Sequence, residues 1–210
     1  MSIVRSLEDL ESRYPTAAPR VKAKKRDRLD DGIRAMLAVS PFVLLATSGE
    51  GGRCDVSPRG GPPGFVKPLG DRHVVVPDLN GNNLLDSFRN IVVNPHAGLL
   101  VLVPGQDETL RIDGPAHLTD DDGVLALFVD EVRRPVLAVV VETEAVFTHC
   151  AKSFRRGRLW DPTSWPALDR SLALEARYRQ LDLDESFEDY VAGNEEKIVA
   201  GLCADAPTPS

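Results

Sequence analysis

The chain is poor in cysteine, in aromatic residues and in positive charge, and it has no long apolar run. Its three cysteines, Cys54, Cys150 and Cys203, are odd in number and widely spaced among 210 residues. Such a set fits neither a disulfide framework nor a zinc-ligand pattern, which argues against a stapled secreted domain and against a structural metal. Lys and Arg number 25 against 32 Asp and Glu, a net charge of -7. That is the wrong sign for a protein that wraps nucleic acid. The longest apolar runs, such as Val136 to Val141 and Leu99 to Val103, fall far short of a membrane span. The N-terminus, MSIVRSLEDLESRYP, has no apolar signal core. Together these absences predict a cytoplasmic protein that partners neither nucleic acid nor membrane.

What is present suits one globular domain with helical appendages. Hydrophobic residues make up 42% and charged residues 27%, enough for an ordinary core. The charge is uneven: residues 1–40 hold nine basic and six acidic side chains, a balance of +3, whereas residues 161–210 hold four and eleven, a balance of -7. The periodicity divides the chain in the same way. A Ser6-x-x-Asp9 capping signal, then Leu29, Ile33, Met36 and Leu37 at helical spacing, predict an N-terminal helical segment over 1–40. The basic run Lys22 to Arg28 reads as a solvated helix face or lead-in. Phe187, Tyr190, Val191, Asn194 and Ile198 predict a helical extension over 151–203, with a disordered tail at 204–210.

The middle, 41–150, reads as sheet. Short β-rich runs fall at Phe42–Ser48, Arg53–Ser57, Gly64–Leu69, Arg72–Val76, Gly98–Val103, Glu108–Ile112 and Val136–Phe147. Ser48 to Gly52 and Gly70-Asp71 read as hairpin turns, and the last run is expected to be one alternating strand. Helices are expected near Asn82, with Asn80 or Asn82 as cap, and after Thr119-x-x-Asp122. Consecutive strands joined by hairpins predict a mainly β, α+β fold: an antiparallel barrel with helices at both ends.

Three segments carry chemistry beyond folding. Ser57-Pro58-Arg59-Gly60-Gly61-Pro62-Pro63-Gly64 is glycine-rich, but its prolines have no N–H to offer an anion and no Gly-Lys-Ser/Thr follows, so it is no phosphate loop. What remains is a sharp turn that places Ser57 and Arg59 at a strand end. Pro77 to Asn83 begins like a calcium loop, yet its sixth position is Asn83 and its twelfth Arg89, which excludes that use. A helix start there would present free N–H groups to a phosphate, with Arg59 and Arg89 as cationic partners. His149-Cys150-Ala151-Lys152 opens a basic stretch through Arg158 to Trp160. His149 and Cys150 point to opposite faces of an extended chain, which argues against a thiol nucleophile. His73, His96 and His117 each stand alone, so no general base is identified. Arg111 reads equally as an ion-pair partner or a ligand contact.

The order of these motifs, from Val43-Leu44-Leu45-Ala46-Thr47 through Asp55-Val56-Ser57-Pro58-Arg59-Gly60, Pro77-Asp78, Gly81-Asn82, Arg89-Asn90-Ile91 and Glu108-Thr109-Leu110-Arg111 to His149-Cys150-Ala151-Lys152, resembles the pyridoxamine 5′-phosphate oxidase-like superfamily of flavin-binding proteins, in its probable FMN-dependent branch. The resemblance implies a split β-barrel homodimer that holds FMN at the subunit interface. It implies that Val56, Ser57, Pro58 and Arg59 run along the flavin, and that Pro77, Asp78, Gly81, Asn82 and Asn83 reach the ribityl chain and phosphate. Arg89 and Lys152 are further phosphate candidates, and His149 and Lys152 are expected to face the flavin bound mainly by the other subunit. True pyridoxamine phosphate oxidases carry Ser-Arg-Lys where this chain has Gly81-Asn82-Asn83, so vitamin B6 oxidation is not expected. The implied activity is flavin-dependent oxidation or reduction of a small molecule through flavin N5, with NAD(P)H as an electron source. The competing readings are a flavin storage or sensing module, and a split barrel that holds haem or the deazaflavin F420.

Overall fold

The computed structural model describes residues 3–168 and 171–208. Its elements in chain order are α1 (Leu7–Glu11), α2 (Pro19–Lys22), α3 (Asp31–Val39), β1 (Phe42–Ser48), β2 (Cys54–Gly60), β3 (Lys67–Leu69), β4 (His73–Pro77), α4 (Asp86–Val93), β5 (His96–Leu102), β6 (Thr109–Thr119), α5 (Asp122–Leu125), β7 (Ala138–Glu142), β8 (Ala145–His149), α6 (Lys152–Gly157), α7 (Leu172–Leu181) and α8 (Phe187–Ala204). Every strand pairing is antiparallel, along the path β2-β1-β5-β6-β7-β4-β3, with β8 also on β6. The ends of the path, β2 and β3, do not pair, so the barrel is split. No helix among the described residues is long and apolar enough to cross a membrane.

The long strand β6 belongs to both halves. Its first part pairs β5 and β8, and from Ala116 to Thr119 it pairs β7. Gly114 marks the change of sheet: a Cβ there would lie 1.8 Å from the Glu142 carbonyl oxygen. Only glycine admits so close a backbone approach.

The core explains the sequence patterns. β1 alternates half-exposed and buried, and Val43 and Leu45 reach the main cluster with Leu99, Val101, Leu110 and Ile112. Ile33 and Leu37 of α3, with Phe88 and Ile91 of α4, cover it from the helical side. The valine runs of β4 and β7 are apolar on both faces because each face meets a core. Val74, Val76, Val139 and Val141 enter the main cluster, while Val75, Ala138 and Val140 meet Leu125, Phe128 and Val132 in a second one.

Three expectations need correction, and a fourth was left between two readings. The expected single strand Val136–Phe147 is two, because the backbone leaves the ladder at Thr143 and Glu144: Thr143 N–H donates to the Arg72 carbonyl (2.7 Å) and Glu144 N–H to that of Asp113 (2.9 Å). The helix expected near Asn82 begins at Asp86, and neither Asn80 nor Asn82 caps it. Asn82 Oδ1 instead accepts from Leu84 N–H (3.1 Å) in a local turn. The second internal helix is capped by Asp121, not Thr119, through Val124 N–H (3.0 Å). Of the two readings of the basic run 22–28, the exposed lead-in to α3 fits and the helix face beyond α2 does not; the Lys22 side chain lies outside the described residues. Arg26 bridges to Val146, and Lys24 Nζ donates to the Thr148 carbonyl (2.9 Å). The N-terminal cap Ser6 and the α3 stripe stand as expected, with Asp30 capping Ile33 N–H at 2.9 Å.

Candidate functional site

β2 presents two faces, and the candidate residues divide between them. Asp55, Ser57 and Arg59 turn inward toward α4, whereas Val56 and Pro58 turn outward, opposite Ala46 and Leu44 of β1. On the inner side, Ser57, Arg59, Pro77, Asp78, Gly81, Asn82 and Asn83 converge on two adjoining clefts of about 210 and 270 Å³, and Pro58 also borders the second of them. Val56 and His149 instead line a separate outer cleft of about 400 Å³ over β1, β5, β6 and the start of α6. Two candidates reach neither: Arg89 lies on the exposed face of α4, and Lys152 is exposed at the start of α6.

A hydrogen-bonded polar cluster anchors the inner cleft. Buried Ser87 donates to Asp55 Oδ2 (2.7 Å). Its one proton is thereby spent, so Ser57 must donate to Ser87 Oγ (3.0 Å), and Arg59 Nη2 donates to the same oxygen at 3.3 Å. The Arg59 guanidinium lies over the Phe88 ring, 5.5 Å from its centroid. Arg59 Nε is buried and has no hydrogen-bond partner among the described residues. An unmade bond of that kind costs about 1–3 kcal/mol.

The loop from Asp78 to Leu85 adds donors. Asn83 and Leu85 both adopt left-handed backbone, with φ of 57° and 59°. For leucine this is a strained conformation, worth roughly 1–2 kcal/mol. It also leaves α4 without a side-chain cap, so the first amides of the helix are free beside the cleft. Arg133, from the segment before β7, supplies a second cation. Among the described residues lining these two clefts, Asp78 is the only acid. Burial holds its carboxyl above the ordinary range, Arg59 and Arg133 oppose that shift, and Asp205 reinforces it.

This donor set fits a phosphate monoester: a guanidinium with an unused buried N–H, a second arginine, free helix amides and two asparagine side chains. The positive charge comes from Arg59 and Arg133, while Gly81-Asn82-Asn83 contributes neutral groups. Arg133 and Ser87 were not legible as site residues in the sequence. Arg133 stands in a basic Arg-Arg-Pro segment that offers no motif, and Ser87 looks like an ordinary residue of a helical first turn.

The outer cleft is mainly apolar, lined by Leu44, Ala46, Val56 and Leu100, with Phe154 from α6. Arg111 borders it, paired to Asp113 (3.2 Å) and lying 5.2 Å from the centroid of the Phe147 ring. Trp160 packs near Phe154 and donates to the Gln106 carbonyl (2.7 Å), lining none of the three clefts.

The pyridoxamine 5′-phosphate oxidase family model matches residues 29–150, from the lead-in to α3 to the end of β8. The chain belongs to that family. The match covers all eight strands and the β-lining of all three clefts, and it leaves α6 to α8 outside the family's shared part. No curated protein matches the chain. Among solved structures, HupZ of Group A Streptococcus is similar at 11% identity and TM-score 0.48, over 57% of this chain and 92% of that one. The HutZ haem storage protein of Vibrio cholerae is similar at 16% identity and TM-score 0.40, over 57% and 94%. A FAD binding protein from Mycobacterium smegmatis shows 14% identity and TM-score 0.40, over 59% and 97%.

Proposed function

We propose that this family member binds FMN and uses it to oxidise or reduce a small molecule. One observation carries the reading: Arg59, whose buried Nε has no hydrogen-bond partner among the described residues, lines a cleft at the uncapped start of α4. Arg59, Arg133 and the Asn82–Asn83 amides would hold the phosphate, and Ser57, Pro77 and Gly81 would flank the chain that leads away from it. When bound, FMN supplies a hydride or electron acceptor at ring N5. The protein's part is to orient the ligand and to keep water from its apolar face.

The same reading makes the protein a homodimer. Val56 is 61% exposed on the outward face of β2, next to the half-exposed Leu44, Ala46 and Leu100. A second copy seated on this face would remove that apolar surface from water. It would also bring its own His149 and Lys152 toward the neighbouring site. NAD(P)H is the proposed electron source.

The test is the visible spectrum of freshly purified protein, followed by anaerobic addition of NADH or NADPH. A bound-flavin absorption doublet that bleaches with a nicotinamide nucleotide is the expected result. Bleaching by dithionite alone would leave a flavin carrier without turnover. Absence of a flavin spectrum, with none restored by added FMN, would defeat the reading.

A further inference from the structure

The C-terminal helix α8 lies outside the family-matched part of the chain, yet its end is tied directly to the candidate site. Asp205 follows the last turn of α8 and is fixed there by its own N–H, which donates to the Gly201 carbonyl at 3.1 Å. Both of its carboxylate oxygens accept from Asn80 N–H, at 2.9 and 3.0 Å. Oδ1 also accepts from Arg133 Nε at 2.9 Å, and the Asp205 carbonyl accepts from Arg133 N–H at 2.8 Å. The side chains of Asp205 and Arg133 are only 15% and 26% exposed, so water screens the pair weakly.

The loop it ties down needs an outside anchor. Asn83 and Leu85 hold left-handed backbone, and the loop's own side chains contribute only the Asn82–Leu84 turn. Such conformations persist where surrounding structure fixes them. α8 also walls a cleft of about 620 Å³ against Asn80, Gly81 and Asn82, so the helix and the loop form one surface. The expected disordered tail 204–210 thus contains a residue with defined contacts; residues 209 and 210 lie outside the described residues.

We propose that Asp205 is a positioning residue of the cofactor site: it holds Asn80 in place and fixes the direction of Arg133, so that loop and guanidinium face the ligand's phosphate. The proposal rests on the FMN reading above. It deepens that reading by making the C-terminal extension part of the phosphate grip.

The experiment compares FMN with riboflavin, which lacks the phosphate, by flavin-fluorescence titration of wild type, Asp205→Ala, Asp205→Asn and Asp205→Glu. Asp205→Ala is expected to weaken FMN binding about tenfold, as loss of a charge-assisted contact implies, while riboflavin affinity stays within about twofold. Asp205→Glu, which keeps the carboxylate, is expected to recover part of the loss. If Asp205→Ala does not fold, as read by its thermal melt, the FMN-to-riboflavin ratio of Asp205→Asn decides instead. Unchanged FMN affinity, or equal weakening of both ligands, overturns the proposal. Tighter FMN binding also overturns it, because Asp205 would then compete with the phosphate. If wild type binds FMN and the variants leave the ratio unchanged, only the Asp205 role falls. If wild type binds neither flavin, the reading beneath it falls as well.

Discussion

Replacing Arg59 with alanine should separate ligand affinity from fold stability. The substitution removes a long hydrogen bond to Ser87 (3.3 Å) and a ring contact with Phe88 at 5.5 Å. A cation–ring contact at a partly exposed site contributes about 0.5–1 kcal/mol, and the long bond contributes less than that. Against this loss stands a gain, since the buried Nε without a partner disappears too. An unsatisfied buried donor costs about 1–3 kcal/mol, so the net change in folding stability should lie within about 1 kcal/mol of zero. Ligand binding has no such offset. A guanidinium bonded to a phosphate contributes about 1.5–3 kcal/mol, so FMN affinity should fall roughly ten- to hundredfold. Urea denaturation and flavin-fluorescence titration read the two quantities on one sample. Arg59→Lys keeps the charge but has no second N–H at the buried position, and should recover only part of the affinity. Unchanged FMN affinity in Arg59→Ala would refute the assignment. A stability loss above about 2 kcal/mol would instead make Arg59 a structural residue.

Three further outcomes follow from particular contacts. Gly114→Ala places a Cβ 1.8 Å from the Glu142 oxygen and should destabilise the protein by about 3 kcal/mol or more in denaturant, whereas Gly98→Ala, whose nearest neighbour is the flexible Asp113 carboxylate at 3.0 Å, should cost much less; equal effects would contradict the β6 bend. Asp78 has a raised folded pKa, so its burial penalty is absent in acid and grows as pH rises from the ordinary carboxylate value through the raised one. Asp78→Asn should therefore be more stable than wild type at pH 7, by no more than about 1 kcal/mol after solvent screening, and should lose that advantage in acid; a variant less stable at pH 7 would refute the sign. On the proposed flavin-bound dimer, Leu100→Asp puts a charge on the outward face of β5 and should shift sedimentation from dimer to monomer with loss of bound flavin, so an unaltered dimer would place the interface elsewhere.

The sheet was legible in the sequence because its strands are short, alternating and separated by turn residues. Phe42–Ser48 reads correctly to the residue, since Val43 and Leu45 face the core and their neighbours do not. The break at Thr143 was not legible, because the alternation of Val139, Val141, Thr143 and Ala145 continues unbroken through it. What interrupts the strand is tertiary: Arg72 and Asp113 take the backbone N–H groups of Thr143 and Glu144. The start of α4 was misread for a similar reason. Asn82 looks like a cap, but the left-handed Leu85, which no propensity favours, delays the helix to Asp86. The Ser57–Arg59 and Pro77–Asn83 segments were each visible as motifs, and the fold does bring them together. The contributions of Ser87, Arg133 and Asp205 were not visible, because their roles depend on contacts spanning tens of residues or more of chain.

The central claim is that the inner cleft grips FMN by its phosphate, and the affinity ratio of FMN to riboflavin measures that grip most directly. With Arg59 and the free α4 amides each adding a charge-assisted contact, FMN should bind wild type at least about tenfold more tightly than riboflavin. Equal affinities, or binding of neither flavin, would contradict the account.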